Sequence, residues 1–266
     1  MPVRPKKRLG QHFLTDPNTI RRIAASVGAP EGAPVVEIGP GEGALTAVLA
    51  GLYPDLVALE IDPEAVAHLQ TALPGLDVRP GDVLDLDWSA LAGELGRRRD
   101  EGGPASLYVV GNLPYYITSP ILFSLLAARR HLARAVVMIQ REVADRIVAA
   151  PSTKAYGTLS VQLQLLARPR LLFPVSRHVF RPKPDVESAV LALDFAGVPE
   201  LGVDEEALRR VVRTAFGKRR KMLRNTLRDL ADEWGGALPD ALATRRPESL
   251  TPEAFVDLTR ALGAEA

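Results

Sequence analysis

Short apolar runs alternate with amphipathic stretches along the first two hundred residues of the chain. Asp16 and Pro17 open the first amphipathic stretch as an N-cap followed by a proline, and Gly28 ends it. The apolar runs that follow have few polar interruptions, which is typical of strands buried on both faces of a parallel sheet. We predict strands at 34–38, 56–61, 77–79, 107–110, 135–139, 171–173 and 188–195. We predict helices between them at 44–52, 63–72, 120–130, 142–149 and 159–166.

This alternation predicts an α/β fold, a doubly wound, Rossmann-like domain with a seven-stranded, mostly parallel sheet. Residues 196–203 have the composition of a linker, and after them only helical periodicity remains. The helices predicted there span 204–216, 218–230 and 252–262. We therefore expect two domains, residues 1–197 and a small all-helical domain at 198–266.

Composition and charge narrow the classes of function. Cysteine is absent from the 266 residues, which excludes disulfide scaffolds, thiol catalysis and cysteine-based zinc sites. The histidines are scattered along the chain, and we predict no metal site. No apolar run is long enough for a membrane span, and none follows the basic residues 1–10, so we expect a cytoplasmic protein without membrane contact.

The net charge of +1 conceals an uneven distribution. Residues 11–95 carry 3 basic and 13 acidic residues, whereas residues 129–230 carry 20 basic and 10 acidic ones. Such asymmetry indicates either a polyanion-binding surface or a solvated basic face. Its densest part is a run of cations without an acid: Lys218, Arg219, Arg220, Lys221, Arg224 and Arg228.

A glycine-rich loop, Glu37 to Gly43 (EIGPGEG), follows the first long strand and opens a helix. Glycines there let a ligand approach the backbone, and the helix N-terminus offers unpaired N–H groups. Glu60 ends the next strand, where a carboxylate can accept hydrogen bonds from ribose hydroxyls. The spacing is G-x-G-x-G rather than the dinucleotide G-x-G-x-x-G, which favours a nucleoside cofactor without pyrophosphate, such as S-adenosylmethionine. The alternative is a tight strand-to-helix turn. Asp82, after the third strand, offers a carboxylate to an adenine amino group.

A second motif, Asn112-Leu113-Pro114-Tyr115, ends the fourth strand. The exocyclic amine of a base is a poor nucleophile because its lone pair is delocalised into the ring. An asparagine oxygen and a neighbouring main-chain carbonyl can accept its two N–H bonds and direct the lone pair toward a methyl donor. Tyr115 can stack on a base flipped out of its helix. The alternative is an Asn-Pro turn with a packed tyrosine.

Several blocks in the same order resemble the KsgA-type small-subunit rRNA adenine dimethyltransferases, relatives of the Erm methyltransferases. They are KKRLGQHFL (6–14), VEIGPGEGALT (36–46), LEID (59–62), GDVL (81–84), GNLPYYITSPIL (111–122), QREVADR (140–146), YGTLSVQ (156–162), FRPKPDVESAV (180–190) and AFGKRRKMLRNTL (215–227). The resemblance covers nearly the whole chain. It implies a class I S-adenosylmethionine-dependent methyltransferase domain and N6,N6-dimethylation of two adjacent adenosines near the 3′ end of small-subunit rRNA, leaving S-adenosylhomocysteine.

The resemblance also assigns residues to these roles. Cofactor-binding residues would be Gln11, His12, Phe13, Leu14, Gly39, Gly41, Glu60, Ile61, Asp82, Val83 and Asn112. Catalytic residues would be Asn112, Leu113, Pro114, Tyr115 and Phe180, with the target base between Tyr115 and Phe180 and its amine held by Asn112 and the carbonyl of Leu113 or Pro114. The six cations of the basic run would contact RNA phosphates. The expected partners are small-subunit rRNA and the assembling small ribosomal subunit, and we expect a monomer.

Three other functions remain open at this stage. Erm-type methylation of large-subunit rRNA uses the same catalytic motifs, although the 215–227 block argues against it. DNA-adenine or protein-glutamine methyltransferases carry a related Asn-Pro-Pro-Tyr motif, in which Leu113 would be a departure. A ribosome-assembly factor that only binds RNA would bind the cofactor without turnover.

Overall fold

The computed structural model describes residues 3–6, 9–98, 103 and 105–263. Within these residues the strands are β1 (Phe13–Leu14), β2 (Val35–Ile38), β3 (Val57–Glu60), β4 (Asp77–Pro80), β5 (Leu107–Asn112), β6 (Leu132–Gln140), β7 (Arg168–Val175), β8 (Phe180–Arg181) and β9 (Ser188–Asp194). The α-helices of the same residues are α1 (Pro17–Val27), α2 (Ala44–Ala50), α3 (Pro63–Ala72), α4 (Trp88–Arg98), α5 (Thr118–Ala127), α6 (Arg141–Ile147), α7 (Thr158–Leu166), α8 (Glu205–Gly217), α9 (Leu223–Thr226), α10 (Arg228–Trp234), α11 (Asp240–Ala243) and α12 (Pro252–Ala261).

The long strands form one seven-stranded sheet in the order β4-β3-β2-β5-β6-β9-β7. Neighbouring strands from β4 to β6 are parallel, and β9 runs antiparallel to β6. Every residue of β2 and β3 is buried, as expected for strands covered on both faces. The prediction of a seven-stranded, mostly parallel, doubly wound sheet is confirmed.

The first helix forms as its sequence predicts. The Asp16 carboxylate accepts a hydrogen bond from the Thr19 backbone N–H at 2.7 Å, and Gly28 ends the helix with a φ of 63°. The apolar face of α1 packs into the core cluster of this region, with Ile23 completely buried. Two helices of the described residues, α4 and the short α11, are not among the predicted elements.

The chain divides into two compact units, one of Met1–Ala144 with Arg170–Ala196 and another of Asp145–Pro169 with Gly197–Ala266. The predicted boundary after residue 197 concerns parts of the chain that fold independently, and it stays a prediction. The second unit takes a segment from the middle of the chain, and within it α7, α8 and α12 pack together. Phe216 stacks on Phe255 there, with 5.7 Å between ring centroids.

The prediction of one helix over 218–230 is wrong. The chain leaves α8 at Lys218, turns, and resumes as the short helices α9 and α10. Tertiary contacts explain the break: the Leu223 N–H donates to the Arg245 carbonyl at 2.9 Å, and the Arg219 guanidinium pairs with Glu248 at 2.7 Å. The basic run therefore lies on a turn and two helix segments.

Among the described residues, no helix combines the length and apolar character that a membrane crossing requires.

Candidate active site

A cavity of about 200 Å³ opens at the carboxyl ends of the parallel strands in the first unit. The chain runs outward from β2 to β3 and β4 and then returns to β5 on the other side of β2, so the strand order reverses between β2 and β5. Ligands of open α/β sheets bind at such a reversal. The predicted site residues that line the cavity are Gln11, His12, Phe13, Gly39, Gly41, Glu60, Ile61, Asp82, Val83, Asn112, Leu113, Pro114 and Tyr115.

The glycine loop after β2 is shaped by left-handed backbone conformations. Gly39 and Gly41 have φ values of 68° and 57°, and a Cβ on Gly41 would lie 2.8 Å from the Phe13 ring. The Gly41 N–H donates to Glu60 Oε2 at 3.0 Å, and the Asp62 N–H donates to Glu60 Oε1 at 2.8 Å. These bonds orient a buried carboxylate toward the cavity, and its burial raises the pKa of Glu60.

Beyond Glu60 the cavity has an apolar rim with one carboxylate. Ile61 and Leu84 are large apolar residues that remain 52% and 40% exposed while lining the cavity. Between them in the chain, Asp82 accepts a hydrogen bond from the Leu84 N–H at 2.9 Å and is half-buried. Two exposed apolar side chains near a carboxylate suit a flat heterocycle that carries an amino group.

Asn112 ends β5 beside the glycine loop. Its Nδ2 donates to the His12 carbonyl at 2.8 Å, and among the described residues its Oδ1 makes no hydrogen bond. Because a carbonyl can only accept, this contact fixes which side of the amide is nitrogen. The Pro114 carbonyl already accepts from the Thr118 hydroxyl at 3.0 Å and from the Ile117 N–H at 3.3 Å.

The Tyr115 side chain is held in place by two contacts. Its ring stacks against the His12 ring, with centroids 5.7 Å apart, and its hydroxyl shares a 2.6 Å hydrogen bond with Ser188. His12 Nδ1 in turn donates to the Pro182 carbonyl at 2.8 Å. Burial raises the pKa of Tyr115, so the phenol stays neutral near pH 7.

Leu14 and Phe180 are the predicted site residues of this unit that do not line the cavity. They face each other in the antiparallel pair of β1 and β8 and belong to the core cluster of the unit, at 7% and 5% exposure. Phe180 can therefore meet a base only if its ring leaves this core, and its stacking role stays a prediction.

The N-terminal arm, which is the stretch up to Phe13 described at residues 3–6 and 9–13, forms one wall of the cavity. Leu9 to Phe13 line it, and Val3 packs with Phe13 and Ala65 in a small apolar cluster. Lys6 Nζ lies 2.7 Å from Asp62 Oδ1, and this hydrogen bond raises the pKa of Lys6. Lys7 and Arg8, part of the first sequence block, lie outside the described residues.

The basic run lies in the second unit. Lys218, Arg220, Lys221, Arg224 and Arg228 are exposed, as a phosphate-binding surface requires. Arg219 differs, because its guanidinium donates to Glu248 and to the carbonyls of Lys154 and Thr153 at 2.7–2.8 Å.

Sequence reasoning missed several residues of the cavity wall, including Leu9, Gly10 and Leu84. Leu84 carries a signal, because it follows Asp82 and Val83 directly and is an apolar residue left exposed. Gly10 has a φ of 57° and a Cβ on it would lie 3.0 Å from the Tyr116 ring, a contact that only the tertiary structure reveals.

Residues 3–235 match the model of the family described as "Ribosomal RNA adenine dimethylase". A Salinibacter ruber protein named "Ribosomal RNA small subunit methyltransferase A" is 50% identical over 269 residues, covering 100% of this chain and 88% of that protein. A Moorella thermoacetica protein of the same name is 44% identical, and the match covers 97% of this chain and 92% of that protein.

Solved structures give the same fold. A dimethyladenosine transferase from Plasmodium falciparum superposes with a TM-score of 0.76 at 21% identity, covering 96% of this chain and 99% of that one. The 23S rRNA methyltransferase ErmE superposes with a TM-score of 0.65 at 26% identity, covering 94% and 99%. ErmE is thus similar to this chain in both fold and sequence.

Proposed function

Since the chain belongs to the ribosomal RNA adenine dimethylase family, we propose that it dimethylates N6 of two adjacent adenosines near the 3′ end of small-subunit rRNA during subunit assembly. The chain is a methyltransferase, and its family implies the use of S-adenosylmethionine. The small-subunit substrate follows the names of the relatives that match the whole chain. The observation that carries the proposal is the Asn112 amide, fixed by the His12 carbonyl with its oxygen available at the cavity.

The cavity wall fits this cofactor. Glu60 offers carboxylate oxygens to ribose hydroxyls, and Asp82 with the Val83 backbone offers polar contacts to an adenine placed between Ile61 and Leu84. Gly39 leaves room for the methionine end, because a Cβ on it would meet only the Asn112 carbonyl oxygen, at 4.0 Å, whereas Gly41 packs against Phe13. When bound, the cofactor supplies a methyl group on a positively charged sulfur.

The target amine is held by acceptors rather than by a base. Asn112 Oδ1 accepts one N6 hydrogen bond, and the Leu113 carbonyl accepts the other, because the Pro114 carbonyl is already engaged by the start of α5. Two acceptors in this arrangement draw the amine toward a tetrahedral shape and expose its lone pair. The amine proton is released to water, so the reaction needs no side chain with a shifted pKa to act as a base.

The target base stacks on Tyr115. The Tyr115 ring is fixed by stacking on His12 and by the hydrogen bond of its hydroxyl to Ser188, so the side chain loses little conformational entropy when a base binds. The exposed cations of the basic run hold the RNA backbone, while Arg219 stabilises the second unit through its internal contacts.

The test is to incubate the enzyme with labelled S-adenosylmethionine and with unmodified small subunits, naked small-subunit rRNA or naked large-subunit rRNA, and then map the modified bases. We expect two adjacent N6,N6-dimethyladenosines near the 3′ end of small-subunit rRNA. Asn112→Ala should lower the transfer rate by about 100-fold or more while RNA binding persists. Asn18→Ala, at an exposed asparagine of α1, is the matched control and should act like the wild type.

Other outcomes point to the other functions. Label confined to large-subunit rRNA would assign the chain to Erm-type activity. Cofactor binding without transfer to either RNA would indicate an assembly factor that only binds RNA. Wild-type transfer rates in Asn112→Ala would refute the role of the amide oxygen.

A further inference from the structure

We propose that Lys6 and Asp62 are positioning residues, whose ion pair sets the cofactor-binding carboxylate and the target-binding amide together. This ion pair is called the latch below. The inference rests on the proposed function, because it assigns both residues to the same methyl transfer. Neither residue needs to touch a reacting atom, since each acts through a neighbour that lines the cavity.

The latch holds the arm to a buried acid. The Asp62 side chain is completely buried, and its Oδ1 accepts from Lys6 Nζ at 2.7 Å and from the Glu64 N–H at 3.0 Å. Gln11 Nε2 approaches Oδ2 at 3.4 Å, so a second arm residue converges on the same carboxylate. Because a buried carboxylate that loses its cation is costly, the latch holds the arm more firmly than an exposed pair would.

One end of the latch reaches the cofactor site through the main chain. The Asp62 N–H donates to Glu60 Oε1 at 2.8 Å, and the Gly41 N–H fixes the other oxygen. Asp62 is also the N-cap of α3, so its backbone position is tied to that helix. A displacement of Asp62 therefore changes the orientation of the carboxylate that we assign to the ribose.

The other end reaches the target site through the arm. The Lys6 N–H donates to Gln11 Oε1 at 2.9 Å, and the next residue, His12, presents the carbonyl that accepts from Asn112. Gln11 and His12 belong to the run of residues 9–13 that lines the cavity. Releasing Lys6 frees the wall of the cavity and the acceptor that orients the Asn112 amide.

This arrangement gives the latch two opposed effects on the reaction. A closed arm retains the cofactor and orients Asn112, whereas cofactor exchange requires the arm to move. Two methyl groups on each of two adenosines require repeated exchange. A weaker latch should therefore release the cofactor faster and slow the transfer step even when cofactor is saturating.

The experiment measures the release of tritiated S-adenosylmethionine from the full-length enzyme in a rapid chase. Lys6→Met keeps the length of the side chain without its charge, and Asp62→Asn keeps a helix-capping acceptor. We expect each to speed release by about tenfold, and the double variant to release no faster than either single one. Lys6→Arg should restore release to within about threefold of the wild type.

Glu64→Gln is the matched control. Glu64 also pairs with Lys6, at 3.0 Å, but its side chain is 63% exposed. A surface-charge effect would make this variant resemble Lys6→Met, whereas the latch predicts release within about twofold of the wild type.

Two further readouts separate positioning from a merely structural role. In the cofactor-free protein, Lys6→Met should increase hydrogen exchange in residues 9–14 while the strands of the sheet remain protected. At saturating cofactor its single-turnover transfer rate should fall. Unchanged release, multiplicative effects in the double variant, or faster exchange throughout the first unit would each overturn the proposal. A wild-type enzyme that binds no S-adenosylmethionine would instead refute the proposed function.

Discussion

Glu37 is a carboxyl group that the proposed mechanism does not use, and it should make the stability of the protein depend on pH. It lies in β2 at 2% exposure, and its Oε2 has no hydrogen-bond partner in the part of the chain that the structure describes. Burial raises the pKa of Glu37 from 4.5 to about 8, and the nearby Glu60 carboxylate adds to the rise. Glu37 is therefore protonated in the native state at neutral pH.

The sign of the effect follows from proton linkage. Below pH 4.5 Glu37 is protonated in both states, whereas between pH 4.5 and 8 only the native state keeps the proton. The unfolded state binds fewer protons in this window, so stability falls as pH rises. The slope approaches about 1.4 kcal/mol per pH unit, or roughly 2 to 3 kcal/mol between pH 5.5 and 7.5.

The assay is urea unfolding of the wild type and of Glu37→Gln at pH 5.5 and 7.5. Other titrating groups contribute to both proteins, so the difference between their pH dependences isolates Glu37. We expect the wild type to lose about 2 kcal/mol more than the variant over this interval. Glu31→Gln, at an exposed acid, is the control and should follow the wild type. Equal pH dependence in wild type and Glu37→Gln would refute the reasoning.

Changes at four further positions test separate parts of the protein. Tyr115→Ala should lower kcat/KM for RNA by about 5- to 150-fold, and Tyr115→Phe, which keeps the ring, by clearly less; the reverse order would contradict stacking. Gly41→Ala should weaken cofactor binding at least tenfold by calorimetry, whereas Gly75→Ala, at a φ of 92° with open space around it, should only lower stability. Lys221→Glu should reduce the salt dependence of RNA binding, by a log–log slope of roughly 0.7 to 0.9 per lost phosphate contact. Arg219→Ala should lower the melting temperature instead, and an unchanged melting temperature would contradict its anchoring contacts.

The sheet could be predicted from the sequence because its signal is local. Strands such as β2 and β6 are mostly apolar runs with few polar interruptions, and the caps of α1 are the residues directly before and after it. The helix α4 also carries such a signal, since Leu91, Ala92 and Leu95 are buried at helical spacing, and Asp87 accepts a hydrogen bond from the Ala90 N–H at 2.9 Å. The residues of α4 alone are therefore enough to predict this helix.

The break after α8 could not be predicted in the same way. Residues 218–230 have helical composition, but the contacts that end the helix come from residues distant in the chain. Arg219 binds the carbonyls of Thr153 and Lys154, and Leu223 binds Arg245. Local propensity differs by less than 1 kcal/mol per residue, so a few tertiary contacts override it.

The candidate site combines both kinds of information. The glycine loop follows β2 and Asn112 ends β5, and because these two strands pair in parallel, topology alone brings the loop and Asn112 together. Gly111 permits this approach, because a Cβ there would lie 2.6 Å from the Ile38 carbonyl oxygen. The orientation of the Asn112 amide depends instead on His12, a hundred residues away in the arm. The sheet thus fixes the place of the proposed site, and the contact with the arm fixes which atom of Asn112 is left for the proposed target amine. Variants of the arm should therefore alter catalysis while leaving the fold intact.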